Sequence, residues 1–345
     1  MKHTERKYQR FLLLFICLLI VSVILSFIFG RYSKVSSSDV IYLALNKIFM
    51  TSFQVDETAE LVISELRFPR IIGACMIGAS LALSGTAYQA LFGNPIASPD
   101  TLGVSNSSSF AAVLGIILGA SGLTTKILSF IVGTVTVLLV FFLANKLSKG
   151  KNLTTYLLLI GMVVSALFSA LLSILKYVAD PDDKLPQITY WLMGSLSKIT
   201  NDDIKIYGII FLVGSIPLIF LRWRLNILSL SDSEIRSIGQ NAIVLRIAVV
   251  ICSTLLTASA TSITGGISWV GLIIPHVVRR IVGTDFRYVV PLSCTLGALF
   301  LLIMDDIARS ISVNELPISI LTSLVGAPLF FIVLMLNKGR FDNEN

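Results

Sequence analysis

The sequence predicts an all-α, polytopic membrane protein with about ten transmembrane helices. Of its 345 residues, 55% are hydrophobic and only 14% are charged, whereas a soluble domain carries about 25% charged residues. Its mean hydropathy is +0.86, and several apolar runs approach the ~20 residues that a straight crossing of a bilayer needs. These observations exclude one or two soluble domains, and we expect residues 1–345 to form a single transmembrane domain.

Ten apolar runs are predicted to span the membrane. They cover residues 11–29, 71–92, 101–119, 127–145, 153–178, 206–221, 243–263, 266–283, 288–304 and 316–336. The first run exceeds the roughly 7–15 apolar residues of a signal peptide, so we expect it to be retained. Several others are short, and we expect those helices to start in re-entrant or interfacial turns that protein buries.

The net charge of +7 indicates topology rather than nucleic-acid binding. With the N-terminus inside, most of the 27 basic residues lie in cytoplasmic segments and most of the 20 acidic residues lie outside, as the positive-inside rule requires. Both termini are then cytoplasmic, and the surroundings are membrane lipid. Two larger segments, 31–70 and 177–205, fall outside, and Tyr190 and Trp191 favour a short interfacial helix in the second.

A polar stretch, 229–246, interrupts the apolar runs on the cytoplasmic side. Ser231 and Glu234 fit a capping box, and Gly239 is placed to end the helix. We therefore expect a short helix of about two turns between the two halves of the bundle. It either docks a soluble partner or lies idle on the membrane surface, and the pattern leaves both open.

The fifth run carries a stripe of small residues at every fourth position, and the second run carries a similar stripe of Ala74, Gly78 and Ala82. Such a stripe permits close helix packing, or it faces a water-filled path. In the fifth run its members are Gly161, Ser165, Ser169 and Ser173.

Few residues could carry chemistry. No Walker-type phosphate loop occurs, so the chain should not bind ATP itself. The two histidines, His3 and His276, cannot form a metal site alone, so we expect neither a metal nor a cofactor. The cysteines stand singly in apolar runs and are predicted to be small buried hydrophobic residues; they are Cys17, Cys75, Cys252 and Cys294.

A membrane-embedded enzyme remains an alternative, with His276, Asp305 and Asp306 as candidate groups. His276 is better explained as a helix end packed against a loop. Asp305 and Arg309 are spaced i, i+4 and can pair along one helix. An ion-coupled secondary transporter would need an ionisable group deep in a span, and the sequence shows none.

Three arginines, Arg67, Arg70 and Arg309, are predicted on the outer face, against the positive-inside trend. They either meet carboxylates of a docking protein or pair locally. The local partners would be Glu65, Asp305, Asp306 or Glu315.

Four stretches together resemble one family. They are RFPRIIGACMIGASLALSGTAYQALFGNPIASPDTLGVS (67–105), WLMGSLS (191–197), GGISWVGLIIPHVVRRIVGTDFRYVVPLS (265–293) and ELPISILTSLVGAPLFFIVL (315–334). This combination resembles the FecCD-type permease subunits of bacterial ABC importers for iron-siderophores, haem and cobalamin. The resemblance extends over nearly the whole chain after the first span.

The resemblance implies the type II ABC importer permease fold and an importer rather than an enzyme. A second permease chain would complete a homo- or heterodimer, and two ABC ATPase subunits would carry ATP and magnesium. An extracytoplasmic binding protein or lipoprotein would deliver an iron-siderophore complex, or alternatively haem or cobalamin. Transport would then proceed by alternating access.

Residue roles also follow from the resemblance. The coupling helices that contact the ATPases match Asp232, Glu234, Arg236 and Gly239, and the docking arginines match Arg67, Arg70 and Arg309. A cytoplasmic gate loop matches Thr154 and Thr155, and the path lining matches Ser165, Ser169 and Ser173. Three positions depart from the pattern. Trp269 replaces the usual Phe, Phe92–Gly93 replaces a common Arg, and Ile235 stands where Ala is frequent, which implies an ATPase with a larger socket.

Overall fold

The computed structural model describes residues 2–28, 35–148, 152–230, 232–311 and 315–341. These residues form fourteen α-helices and no β-strand. The helices are α1 (Lys2–Ile28), α2 (Ser37–Phe49), α3 (Glu57–Leu61), α4 (Phe68–Phe92), α5 (Val104–Ile117), α6 (Gly122–Ser148), α7 (Leu153–Val178), α8 (Lys184–Leu192), α9 (Asn201–Phe220), α10 (Asp232–Ser237), α11 (Ala242–Thr264), α12 (Val270–Val282), α13 (Phe286–Ile311) and α14 (Ile318–Phe341).

Each of the ten predicted runs coincides with a helix. Seven helices in the described residues are long and apolar enough to cross a membrane; they are α1, α4, α6, α7, α9, α11 and α13. The runs at 101–119, 266–283 and 316–336 correspond to α5, α12 and α14. The prediction of an all-α bundle is therefore confirmed, and three of its members are shorter apolar helices or carry a shorter apolar part.

Side-chain contacts show how the helices are oriented. α1 runs parallel to α13, since the ring of Tyr8 packs at a tilt against that of Tyr288, with centroids 4.9 Å apart, and Ser26 Oγ donates to Asp306 Oδ1 at 2.6 Å. α4 runs antiparallel to α13, because Arg70, near the start of α4, pairs with Asp305 near the end of α13. These directions are those of a chain that crosses the membrane back and forth.

The centre of the bundle is the contact between α4 and α13. A Cβ built on Gly78 would lie 2.2 Å from the carbonyl oxygen of Gly297, so the two backbones touch. Ala74 and Ala82 are fully buried on the same stripe. The small residues of the second run therefore serve close helix packing.

The two short helices begin in irregular backbone. A 3₁₀ turn, Pro99–Leu102, precedes α5, with Pro99 packed on Gly271 and Leu102 fully buried. Before α12, Gly265 has φ +75° and Trp269 has φ +74°. Asp100 and Ser268 are exposed, whereas Pro99, Leu102 and Gly265 are buried. The expectation of buried turns before short helices is therefore confirmed in part.

The predicted outer segments are helical in part. The first holds α2 and α3, followed by a single π-helical stretch, Val62–Arg67, that continues into α4. The second holds α8, which is the short helix expected around Tyr190 and Trp191.

The cysteines only partly match their prediction. Cys252 is buried, Cys75 and Cys294 are half-buried, and Cys17 is exposed. Burial was the wrong prediction for Cys17, because α1 lies at the periphery and only 11% of its most apolar stretch is covered by protein.

Candidate functional site

Between α9 and α11 lies a stretch that we call the coupling segment (224–241), after the role that the family resemblance implies. It starts with a 3₁₀ helix, Arg224–Ser229, whose Leu225 is fully buried and whose Leu228 is 6% exposed. These two leucines anchor the segment in the same hydrophobic cluster as Leu91 and Leu245. The segment is therefore attached to the ends of the spans rather than loose.

The predicted short helix is present as α10, which contains Asp232, Glu234 and Arg236. Gly239 follows it with φ +72°, so the helix ends in the left-handed conformation that glycine adopts without strain. Glu234 is exposed. Ser231, the proposed partner of Glu234 in a capping box, lies outside the described residues.

The burial of Ile235 contradicts the prediction that this residue enters a larger socket on the ATPase. Its side chain is completely buried within this chain, so it cannot enter a groove on an ATPase. The larger residue at this position instead fastens α10 to the bundle. The inference of an ATPase with a larger socket is wrong, because it assumed that position 235 faces outwards.

Arg70 pairs within the chain. Its Nη2 lies 2.8 Å from Asp305 Oδ1 and its Nη1 lies 2.7 Å from Glu315 Oε1. The Arg70 side chain is 14% exposed and that of Asp305 is 1% exposed. This arrangement favours the alternative of local pairing, and it ties the start of α4 to the end of α13 and the turn before α14.

Arg309 and Arg67 hold the end of α1. Arg309 pairs with Asp306 at 2.5 Å and donates to the carbonyl of Ser26 at 2.9 Å, while Arg67 donates to the carbonyl of Phe27. The predicted Asp305–Arg309 pair is wrong, because Asp305 is taken by Arg70 and Arg309 turns to Asp306 instead. A docking role for the three arginines stays a prediction.

The proposed gate residues are in a helix. Thr154 and Thr155 lie in the first turn of α7 rather than in a loop before it, because the helix starts directly after Asn152, which has φ +53°. Thr154 is half-buried and Thr155 is exposed. Their gating role stays a prediction.

The two halves of the small-residue stripe on α7 differ in their surroundings, and each fits one of the two interpretations, helix packing or path lining. Gly161 packs tightly, since a Cβ there would lie 2.6 Å from the carbonyl of Thr101, and Ser165 accepts a hydrogen bond from Asn106 at 2.8 Å. Ser169 and Ser173 are exposed. The first half of the stripe therefore serves packing, and only the second half is free to line a path.

Cysteine labelling tests this division. In a variant whose native cysteines are replaced by alanine, we expect Ser169→Cys and Ser173→Cys to react with a hydrophilic thiol reagent in membranes, because a path admits water. Ser165→Cys should react much more slowly, since Asn106 covers it. Tyr177→Cys, at a side chain that is 90% exposed, is the positive control. If only the control reacts, Ser169 and Ser173 face lipid or another chain, and the path-lining prediction is wrong.

Three of the motifs that carry the family resemblance meet at one place. The carbonyls of Met193 and Gly194 accept hydrogen bonds from the backbone N–H groups of Ser319 and Ile318, at 3.2 and 3.1 Å, and so cap the start of α14. A Cβ on Gly265 would lie 2.0 Å from the carbonyl of Trp191. Since these backbones touch directly, the glycines are required for the contact between 191–197 and 265–269.

The groups of a membrane-embedded enzyme are not brought together. His276 Nε2 lies 2.6 Å from the carbonyl oxygen of Pro95 and is 8% exposed, as expected for a helix packed against a loop. Pro95 follows the end of α4, whereas Asp305 binds near its start, about 37 Å away along a 25-residue helix. In the part of the chain that the structure describes, no three His, Cys, Asp or Glu residues cluster as metal ligands.

Sequence reasoning did not identify two polar contacts. Arg279 donates to Gln89, joining α12 to α4, and Asn106 joins α5 to α7. The only signal was a polar side chain within an apolar helix. It does not reveal the partner, which lies 190 residues away for Arg279.

Comparisons with known proteins agree with this architecture. The profile of the FecCD transport family matches residues 18–336. The chain is 40% identical to the molybdate import system permease protein MolB of Haemophilus influenzae, over 98% of each chain. It is 38% identical to a probable iron chelatin transport system permease protein of Helicobacter pylori, over 81% of this chain and 84% of that one.

A solved structure has the same fold. It is an inward-facing conformation of a metal-chelate type ABC transporter, with a TM-score of 0.83 and 37% sequence identity over 95% of this chain and 99% of that chain. The fold is therefore that of the type II ABC importer permeases, and the chain is a multi-pass membrane protein. This chain belongs to the FecCD transport family.

Proposed function

We propose that this chain is the permease subunit of an ABC importer that moves an iron-siderophore complex across the cytoplasmic membrane. The observation that carries the proposal is the family match over 18–336, joined to a short polar helix, α10, that lies between α9 and α11 in the chain. In this assignment the chain does not hydrolyse ATP. Two ABC ATPase subunits bind ATP and magnesium and contact the coupling segment from the cytoplasm.

A second permease chain would face α7. Protein covers only 11% of the most apolar stretch of this helix, and its exposed side includes Val163 and Leu167 next to Ser169. A path between two chains would be lined by such small polar residues. Both termini lie in the cytoplasm in this arrangement, which the distribution of basic residues supports.

Transport would follow from the attachment of α10. ATP-driven closure of the ATPases moves α10, and because Ile235 fixes α10 to the bundle, the spans follow. The bundle then alternates between outward and inward openings. An extracytoplasmic binding protein or lipoprotein delivers the cargo, so the path itself needs no strong binding residues.

An iron chelate is supported by the Helicobacter pylori relative, whose name describes iron chelatin transport. Haem or cobalamin would fit the same path. Molybdate is a second candidate, because the relative named for molybdate import is 40% identical over 98% of both chains.

A pull-down of the tagged chain in mild detergent tests the assembly. We expect an ABC ATPase and a second permease chain in the eluate, and we expect the ATPase to be lost when 232–239 is replaced by a Gly/Ser linker. A Gly/Ser replacement of the exposed turn 180–183, on the predicted outer side, is the control and should retain the ATPase. Absence of an ATPase from the intact chain, under conditions that preserve a known importer, would refute the proposal.

The cargo is identified through the binding protein that is recovered with the complex. Separate incubations with a ferric siderophore, haem, cobalamin or molybdate, followed by elemental analysis, distinguish iron, cobalt and molybdenum, and the porphyrin absorbance distinguishes haem iron from siderophore iron. Retention of iron with the siderophore supports the proposal. Retention of molybdenum alone would replace it with the oxyanion.

A further inference from the structure

The coupling segment has a second attachment, made by Asn226 to the start of α13. Asn226 Nδ2 donates to Asp285 Oδ1 at 3.0 Å, and Asn226 Oδ1 accepts from the backbone N–H of Phe286, also at 3.0 Å. One amide group thus satisfies both a side chain and a backbone group on a segment 60 residues away. We call Asn226 and Asp285 the clasp.

The clasp caps α13. The first N–H groups of a helix have no partner within it, and here Phe286 N–H binds Asn226 while Arg287 N–H binds Asp285 Oδ1 at 3.0 Å. A helix is usually capped by its own preceding residue. In this protein half of the cap comes from the 3₁₀ helix that leads into α10.

Asp285 also carries a charge. Partial burial raises its pKa, but hydrogen bonds from Arg287 and Asn226 outweigh burial, and the pKa of Asp285 lies below its ordinary value. The carboxylate is 2.6 Å from Arg287 Nη2. The bond from Asn226 is therefore made to a charged acceptor, which strengthens it.

α13 extends from the clasp to the ion pair of Asp305 with Arg70. It has 26 residues, about 39 Å at 1.5 Å per residue. Midway along it, Gly297 touches Gly78 of α4, and near its far end Asp305 holds Arg70. A displacement of the first turn of α13 is thus applied to a helix that is fixed to α4 along its length.

We propose that Asn226 and Asp285 are positioning residues that pass the motion of the coupling segment directly to α13. This inference rests on the proposed function. Without the clasp, α10 is connected to the bundle by its chain neighbours, α9 and α11, and by the burial of Ile235, Leu225 and Leu228. The same leucines share a hydrophobic cluster with Leu91, so they already link the segment to α4. With the clasp, the segment is also attached to α13, which is not its neighbour in sequence and which binds α1.

The test uses the whole importer, with its ATPases and binding protein, in proteoliposomes. Asn226→Asp keeps the acceptor for Phe286 N–H, loses the donor to Asp285 and places two carboxylates together. We expect the number of ATP molecules hydrolysed per substrate molecule transported to rise about fivefold or more, the lower end of usual coupling between sites. A purely structural role would lower the amount of complex without changing this ratio.

A double variant that exchanges the two residues of the clasp tests whether coupling can be restored. In N226D/D285N the donor and the carboxylate change places, so the hydrogen bond can form again, and we expect the ratio to return to within about twofold of the original. Asn46→Asp is the matched control. Asn46 is also half-buried and its amide makes two hydrogen bonds to Phe53, at 2.8 and 2.9 Å, but it lies on the predicted outer side and should leave the ratio unchanged.

Several outcomes would overturn the inference. An assembled N226D complex with an unchanged ratio would do so, as would an assembled exchanged pair that stays uncoupled. If N226D fails to assemble, Asn226→Leu removes both hydrogen bonds of the clasp without adding a charge, and an unchanged ratio there counts equally against it. Failure of the original chain to assemble with any ATPase would instead refute the proposed function.

Discussion

Replacing Arg70 by methionine is expected to lower the stability of the folded chain by about 3–5 kcal/mol, the usual cost of leaving one partner of a buried ion pair alone. Asp305 would remain in a site where its side chain is 1% exposed, and Glu315 would lose its cation. The measurement is thermal unfolding of the purified chain in detergent. Because Arg70 joins α4, α13 and the turn before α14, the loss should affect cooperative unfolding rather than one loop.

Two further variants show that the effect comes from the pair. In Arg70→Met/Asp305→Leu both charges are absent, and we expect much of the stability to return, since apolar side chains can replace a buried pair. Lys205→Met removes a pair on the surface, because Lys205 and Asp202 are 74% and 84% exposed. Its unfolding temperature should not change measurably.

The same variants bear on docking. If Arg70 served only to meet a binding protein, Arg70→Met would weaken that complex and leave the unfolding temperature unchanged. A clear loss of stability in Arg70→Met, recovered in the double variant, would instead assign the arginine to the internal network. An unchanged unfolding temperature would contradict our expectation.

Gly85→Ala is expected to be the most damaging single methyl group that can be added to the bundle. A Cβ at this position would lie 1.8 Å from the carbonyl oxygen of Gly271, so α4 and the start of α12 would have to separate. Overpacking of this kind costs about 1–3 kcal/mol, and more when backbone must move. Thermal unfolding and the yield of folded chain from membranes measure the loss.

Gly208→Ala is the matched control, because it adds the same group to another membrane helix. The nearest atom to its Cβ would be Met76 Cε, at 3.8 Å, which is ordinary contact. Alanine is favoured over glycine in a helix by up to about 1 kcal/mol, so this variant should be neutral or slightly more stable. Equal losses at positions 85 and 208 would show that the contact with Gly271 does not limit packing.

The helices could be predicted from sequence because a membrane span needs only length and apolar composition, and seven of the ten runs correspond to helices that have both. Their contacts could not. Asp305 is four residues from Arg309, yet it binds Arg70, 235 residues away. Local spacing suggested Arg309 as the partner of Asp305, whereas the antiparallel packing of α4 and α13 brings Arg70 within hydrogen-bonding distance of it.

In the coupling segment, too, local structure could be predicted from the sequence but distant contacts could not. Its helix and the glycine that ends it could be predicted, since caps and turns are local. The direction of Ile235 could not, because a six-residue helix has too few positions to define an apolar face. Asn226 gave no signal at all, since its partners, Asp285 and Phe286, are distant in sequence.

The parallel contact between α1 and α13 has a consequence for biogenesis. Ser26 and Asp306 are separated by 280 residues, so at about 5–20 residues per second α1 waits in the lipid for about 14–56 s before its partner is made. α1 can wait, because its most apolar stretch has a mean hydropathy of 3.2, the highest among the seven long spans in the described residues. α13 has a lower mean hydropathy of 1.8 and carries Asp305, Asp306 and Arg309 near its end, so it is stabilised more by partners that are already present. The order of synthesis thus places the more apolar helix first, and Arg70 and the end of α1 are inserted before α13 is made.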